Sequence, residues 1–197
     1  MKPYFETVKS FADVRVTDAG VDTAEFLEAS DGLVQLFDLL GTGVFGFVQS
    51  DIRGNIAGVR SRFEANKEAS STLEDLVRKE ARERKKDATA CLVRLTRGLS
   101  FTCASLQNMQ SDTSAELYAC FKRSYDVVLS HHHSFIIRSV VGVALRAVPR
   151  RPDFYARIAQ GGDVAQLDVA LARWLAGLHV LVGRISKFLE DGGYGRV

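Results

Sequence analysis

Apolar residues recur along this chain mainly at intervals of three and four positions, the spacing that places side chains on one face of an α-helix. Within residues 23–40, for example, Phe26, Leu33 and Phe37 share one side, and glycines at 41 and 43 mark the end. Strand-like alternation is nearly absent, and the three prolines stand at positions 3, 149 and 152. The pattern therefore predicts an all-α fold.

The same periodicity, combined with capping signals, predicts about eight helices. Their expected ranges are 23–40, 44–64, 71–84, 88–109, 114–130, 132–148, 153–160 and 164–190. A capping box of Ser71 and Glu74 is expected to start the third helix, and residues 149–152 are expected to form a tight basic loop. Since no internal repeat or linker-like segment interrupts the sequence, we expect one compact domain over residues 1–197.

Composition and charge narrow the class of protein. Apolar residues make up 46% of 197 residues, enough to bury a core without metals or disulfides. The net charge is only +2, which argues against a nucleic-acid binder. Three cysteines, an odd number, and the lack of an N-terminal apolar run with a cleavage site indicate a reducing compartment. We therefore expect a cytoplasmic protein, and the apolar stretch 140–145 is too short to span a bilayer.

Asp51 and Asn55 lie four residues apart on the second predicted helix, so their side chains project from one face, one turn apart. A carboxylate and an amide together can accept hydrogen bonds from a polar ligand and donate hydrogen bonds to it. Spacing alone does not separate this interpretation from an ordinary exposed polar face.

Arg94 falls on the helical wheel with Cys91, Gly98 and Phe101, away from the polar sector of the fourth helix. A guanidinium on an apolar face needs an anion, either Asp51 or a bound phosphate. The sequence leaves both open. Arg97 lies at the edge of the polar sector, where it is either a ligand contact or a surface cation.

Three consecutive histidines, at 131–133, invite a metal interpretation. Consecutive helical side chains point about 100° apart and do not converge on one ion, so we expect no metal site. The sequence also lacks a glycine-rich phosphate loop, a nucleophile elbow and a paired-cysteine motif. We accordingly expect no cofactor and no enzymatic activity.

Three segments together resemble the glycolipid transfer protein family. Residues 49–56 resemble its head-group helix, in which an Asp and an Asn stand at this spacing, and residues 92–99 resemble its next recognition helix. Residues 133–137 resemble its histidine segment, which singles out His133. The resemblance implies a two-layer helical sandwich that binds one sphingolipid and transfers it between membranes.

In that family, the residues matching Asp51 and His133 hold the ceramide amide, and the residue matching Asn55 binds the head group. The sequence departs at Arg94, where glycolipid binders have Trp and members specific for ceramide-1-phosphate have a cation, and at Gly58, where glycolipid binders tend to carry Lys. Against a phosphate ligand, ceramide-1-phosphate binders usually have Lys at the position of Asn55.

Guanidinium in place of an aromatic ring removes sugar stacking and supplies a bidentate phosphate partner. We expect Arg94, with Arg97 nearby, to favour ceramide-1-phosphate or another anionic head group. Neutral glycosphingolipid transfer and a sphingolipid sensor or scaffold that does not transfer its ligand are the alternatives.

Membrane contact is expected to be transient, from a monomeric peripheral protein. Phe135 lies where the resembling family carries an interfacial aromatic, and Arg150 and Arg151 follow the same predicted helix. In the alternative, Phe135 belongs to the core and the arginines are merely solvated. A helix about 25 Å long would separate the two groups.

Overall fold

In a computed structural model, residues 1–40 and 46–196 are described. Within them the chain forms eight α-helices and four short 3₁₀ helices. The α-helices are Thr23–Leu40 (α1), Gly46–Ala65 (α2), Leu73–Arg82 (α3), Asp87–Ser111 (α4), Leu117–Val128 (α5), Phe135–Arg146 (α6), Arg151–Ala159 (α7) and Val164–Asp191 (α8). Among the described residues, β-type pairing is limited to two isolated bridges, which confirms the all-α prediction. The predicted stop at glycines 41 and 43 lies outside the described residues.

The start of α3 differs from the predicted capping box. Thr72, one residue later, is the N-cap, and its side-chain oxygen accepts a hydrogen bond from the Asp75 backbone nitrogen at 3.1 Å. Glu74 is buried and accepts from the Val21 backbone nitrogen at 2.8 Å. The box of Ser71 and Glu74 was wrong because the Glu74 carboxylate is used in a long-range contact with the segment before α1.

The sixth and seventh helices also begin elsewhere than predicted. α6 starts at Phe135 after the N-cap Ser134, so the three histidines precede the helix and do not lie on it. α7 starts at Arg151 with Pro152 in its first turn, where the missing N–H of proline leaves no hydrogen bond unmade. The expected basic loop at 149–152 is therefore partly helical, and α6 is about 18 Å long instead of about 25 Å.

The helices pack in two layers. α4 lies at the centre of one layer, in contact with α3, α5 and α8, while α1 contacts α2 and α7 in the other. Contacts of α2 with α4 and of α7 with α8 join the layers and enclose the core. Because α2 and α4 pack directly on each other, the candidate residues on these two helices lie on neighbouring surfaces.

α8 anchors the segment that precedes α1. The ring of Trp174 lies 5.0 Å from that of Phe11 and 5.1 Å from that of Phe5. Gly177 permits this contact, since a Cβ there would lie 2.1 Å from the Ala12 backbone nitrogen. α8 is long and apolar enough to cross a membrane by length and composition, but its apolar stripe packs against α4 and this segment. We therefore interpret it as a core helix.

Candidate functional site

Asp51 and Asn55 form a bonded pair on α2. Asn55 is buried, and its amide nitrogen donates to the Asp51 carboxylate at 3.2 Å and to the Asp51 backbone carbonyl at 2.9 Å. The Asp51 side chain is exposed. The amide thus orients the carboxylate, which keeps free lone pairs for a ligand donor.

Gly58 allows α2 to approach α4 closely. A Cβ at Gly58 would lie 2.4 Å from the Sγ atom of Cys91. Burial raises the pKa of the Cys91 thiol, the positive charge of Arg94 opposes this, and the negative charge of Asp51 adds to it. Asp51 and Arg94 are therefore both within electrostatic reach of this thiol, at one side of the α2–α4 interface.

Arg94 is exposed, contrary to the expectation from the helical wheel. Its neighbours in that sector, Cys91 and Phe101, are only half-buried, so the sector lies at the margin of the core. Within residues 1–40 and 46–196, neither a hydrogen bond nor an ion pair holds its guanidinium, and the ion pair to Asp51 is not formed. Arg94 therefore presents an unneutralised charge at the surface.

Arg97 is half-buried one turn further along α4. Its Nη2 atom donates to the backbone carbonyl of Gly195 at 2.9 Å. Burial lowers the pKa of Arg97, and repulsion from Arg94 lowers it further. Two guanidinium groups thus lie within electrostatic reach of each other, an arrangement that a bound anion would stabilise.

His133 lies in the loop between a 3₁₀ turn and α6. Its Nδ1 atom is 3.0 Å from the hydroxyl of Tyr125 on α5. Burial lowers the pKa of His133, although the nearby negative charge of Asp51 opposes the shift. The ring is therefore neutral near pH 7, and its Nε2 atom is left for a ligand.

The other two histidines do not join this arrangement. His131 and His132 are exposed, and their ring centroids lie 4.0 Å apart. In the described part of the chain, no group of three or more His, Cys, Asp or Glu side chains is arranged to hold a metal ion.

α6 exposes an apolar face. Phe135 is 84% exposed and Ile136 is 74% exposed, so the alternative in which Phe135 belongs to the core is wrong. Three further apolar side chains of α6 are also exposed: Ile137, Val140 and Val143. We call these five residues the α6 apolar face.

Arg150 and Arg151 have different environments. Arg150 is exposed. The half-buried guanidinium of Arg151 donates to the backbone carbonyls of Met109 at 2.8 Å, Asp112 at 2.7 Å and Ala115 at 2.6 Å. The donors of Arg151 hold the connection between α4 and α5, and membrane contact at Arg151 stays a prediction.

Comparison with known proteins identifies the family. The model of the glycolipid transfer protein family matches residues 21–160. The chain belongs to the glycolipid transfer protein family. It is 41% identical over 189 residues to a glycolipid transfer protein of Aureobasidium melanogenum, covering 95% of this chain and 93% of that protein.

Two solved structures share the fold. The crystal structure of HET-C2, a fungal glycolipid transfer protein, superposes with a TM-score of 0.90 at 38% identity, covering 95% of this chain and 96% of that one. Human ceramide-1-phosphate transfer protein bound to 12:0 ceramide-1-phosphate gives a TM-score of 0.88 at 19% identity, covering all of both chains. The second likeness concerns the fold alone.

In this family member, the predicted head-group residues lie on elements that meet at one side of the fold. The charges of Asp51 and Arg97 both affect the pKa of His133, and the charge of Arg94 affects the pKa of Arg97, so these side chains lie near one another. Tyr125 was not anticipated, although its position two turns before the histidine segment is visible in the sequence. We call the set Asp51, Asn55, Arg94, Arg97 and His133 the head-group cluster.

Proposed function

We propose that residues 1–197 act as one sphingolipid-transfer domain that binds a single lipid and moves it between membranes without breaking a bond. The observation that carries the proposal is the head-group cluster itself. It combines an oriented carboxylate on α2 and two guanidinium groups on α4 with a neutral imidazole from the loop before α6. These groups match the amide, hydroxyl and charged parts of a sphingolipid head.

The ceramide amide would be held by Asp51 and His133. The Asp51 carboxylate accepts the amide N–H, since Asn55 already fixes its orientation. With Nδ1 of His133 occupied by Tyr125, Nε2 faces the lipid carbonyl or hydroxyl. Tyr125 is then a positioning residue, which sets the ring orientation of His133.

The hydrocarbon chains would enter beside α6. This helix buries only Val141, Ala144 and Leu145 of its residues, so outward movement disrupts few internal contacts. Burying a methylene contributes about 0.8 kcal/mol, so two long chains supply most of the affinity. The head-group cluster then supplies the selection between lipids.

The favoured head group is anionic, with ceramide-1-phosphate as the simplest case. Arg94 has no partner among the described residues, and its positive charge acts on Arg97. A phosphate near both would receive charge-assisted hydrogen bonds and relieve their repulsion. Asn55 provides an amide where a third cation would otherwise strengthen phosphate binding.

A neutral glycosphingolipid is the second candidate. The 41% identical relative is named a glycolipid transfer protein, and HET-C2 is described in the same way. A sugar would hydrogen-bond to Asp51 and Asn55, but Arg94 offers it no aromatic face for stacking.

Membrane contact would be reversible and would occur through the α6 apolar face, with Arg150 attracted to anionic lipid. All three cysteines are unpaired thiols, in keeping with the proposed cytoplasmic location. Since one chain contains the whole head-group cluster, we propose that it works as a monomer.

Vesicle-to-vesicle transfer tests the proposal. Donor vesicles would carry labelled ceramide-1-phosphate, glucosylceramide, sphingomyelin or phosphatidylcholine, and mass analysis of acceptor vesicles would follow. We expect intact ceramide-1-phosphate to move fastest. Product formation would indicate an enzyme, binding without movement would indicate a sensor, and faster movement of glucosylceramide would select the second candidate.

A further inference from the structure

A second polar compartment borders the head-group cluster. It is a cavity of about 230 Å³ between α4, α5, α8 and the residues around Gly195, and Arg97 lines both regions. Asp51, Asn55 and His133 do not line this cavity. We call it the α8 cavity. Because Asp51 and His133, the residues proposed to hold the ceramide amide, do not line it, amide binding leaves this cavity without an assigned role.

The polar groups of the α8 cavity include acceptors as well as the donors of Arg97 and Ser186. The Ser100 hydroxyl donates to the Thr96 carbonyl at 2.8 Å, which leaves its oxygen as an acceptor. Glu190, on α8, adds a carboxylate, and partial desolvation, together with the positive charge of Arg97, lowers the pKa of His132. Hydroxyl donors fit these groups, whereas a second phosphate would be repelled by Glu190.

Apolar side chains form the remaining walls. Val93, Val128 and Leu189 line the cavity beside the acceptors. A hydroxylated six-membered ring presents C–H faces to such walls and hydroxyls to the polar groups. At about 230 Å³ the cavity is smaller than sites for drug-sized ligands, about 300–1,000 Å³, so it suits one ring and not an oligosaccharide.

We propose that the α8 cavity is a subsite for a single hydroxylated ring joined to the ceramide through a phosphodiester. The residues that line the cavity support this. Arg97 lines it, whereas Asp51, His133 and Arg94 do not, so Arg97 would link a phosphate held by the two arginines to a ring in the cavity. The inference rests on the proposed sphingolipid-binding function and narrows its ligand class from a bare phosphate to a phosphate-linked cyclitol or sugar.

Four lipids with the same ceramide test this order: ceramide-1-phosphate, ceramide phosphoinositol, galactosylceramide and sulfated galactosylceramide. Each would compete against a labelled sphingolipid for binding to the full chain. We expect ceramide phosphoinositol to bind about tenfold more tightly than ceramide-1-phosphate, the gain from one or two net hydrogen bonds. In sulfated galactosylceramide the ring lies between the ceramide and the charged group, the reverse of ceramide phosphoinositol. Stronger binding of sulfated galactosylceramide than of ceramide phosphoinositol would therefore overturn the proposed order of ceramide, phosphate and ring.

Replacing two neighbouring acidic residues by alanine, one at a time, tests whether the preference for ceramide phosphoinositol depends on the cavity. Glu190→Ala removes an acceptor from the cavity, whereas Asp191→Ala removes the same charge from the adjacent residue, which pairs with Lys187. Glu190→Ala should reduce the ratio of the two affinities about fivefold, and Asp191→Ala should leave it unchanged. Circular dichroism would verify that both variants are folded.

Two results overturn the subsite: equal binding of ceramide phosphoinositol and ceramide-1-phosphate by the unmodified chain, or the same change of ratio in both variants. In each of these cases ceramide-1-phosphate still binds, so the proposed function survives. Failure of all four lipids to bind would refute the proposed function together with the subsite.

Discussion

Asp51→Val should abolish most sphingolipid binding and leave the fold intact. The carboxylate would otherwise accept the ceramide amide N–H, and hydrogen bonds to a charged group contribute about 1.5–3 kcal/mol. Losing one corresponds to a decrease in affinity of about 10- to 100-fold. The free energy of unfolding should change little, since Asp51 is exposed and the buried Asn55 amide keeps its 2.9 Å bond to the Asp51 backbone carbonyl.

Transfer assays and thermal unfolding would separate the two effects. Asp168→Val, a change of the same size at another exposed aspartate, serves as the control and should transfer normally. The loss should affect ceramide-1-phosphate and glucosylceramide alike, because both contain the amide. Normal transfer by folded Asp51→Val would show that this carboxylate does not hold the ceramide. A large loss of stability would instead show that its role is structural.

Four further outcomes are expected. Arg94→Trp should weaken transfer of ceramide-1-phosphate about tenfold relative to glucosylceramide, by removing a charge-assisted contact, and equal effects on both lipids would contradict an anionic preference. Arg151→Ala should lower the free energy of unfolding, measured by denaturant titration, by about 2–4 kcal/mol, because it removes three hydrogen bonds to backbone carbonyls. Arg150→Ala, at the exposed neighbouring residue, should change this free energy by less than about 0.5 kcal/mol. Similar values for the two variants would refute the structural role of Arg151. Phe135→Ala should reduce co-sedimentation with vesicles at every salt concentration, whereas Arg150→Ala should reduce it only with anionic lipid at low salt, and unchanged binding in both would eliminate this docking surface. Acidification below about pH 6.5 should lower the free energy of unfolding through His133. The pKa of His133 is lowered in the folded state, so the unfolded state takes up the proton at a higher pH. An equal loss of stability on acidification in His133→Gln would assign the effect to other groups.

Long helices with clear ends could be predicted closely from the sequence. α1 matches its predicted range, and α8 extends one residue beyond 164–190. α5 and α6 are both shorter than the predicted 114–130 and 132–148, because apolar spacing continues past the residues where the backbone leaves the helix. The Ser134 side chain, which accepts from the Ile137 backbone nitrogen at 3.4 Å, marks the true start of α6.

Contacts between distant parts of the chain could not be predicted in the same way. The partners of Arg151 are backbone carbonyls 36 to 42 residues earlier, and backbone carbonyls carry no sequence signal. Arg97 donates a hydrogen bond to the backbone carbonyl of Gly195, 98 residues away, and this contact could not be predicted for the same reason. The exposure of Arg94 also depends on where the margin of the core falls, which helical periodicity alone does not specify.

The two departures from the glycolipid-binding pattern, at Gly58 and Arg94, have one physical explanation. With glycine at 58, α2 lies so close to α4 that a Cβ would meet the Cys91 sulfur at 2.4 Å, so a lysine at this position would first have to displace the thiol. In the proposed site, the cation for the head group would instead come from α4, where Arg94 lies one turn beyond Cys91. An arginine at this position cannot also provide the aromatic face on which a sugar stacks. Close packing at Gly58 is therefore consistent with the proposed site that selects charge, and it supports the same proposal as Arg94 itself.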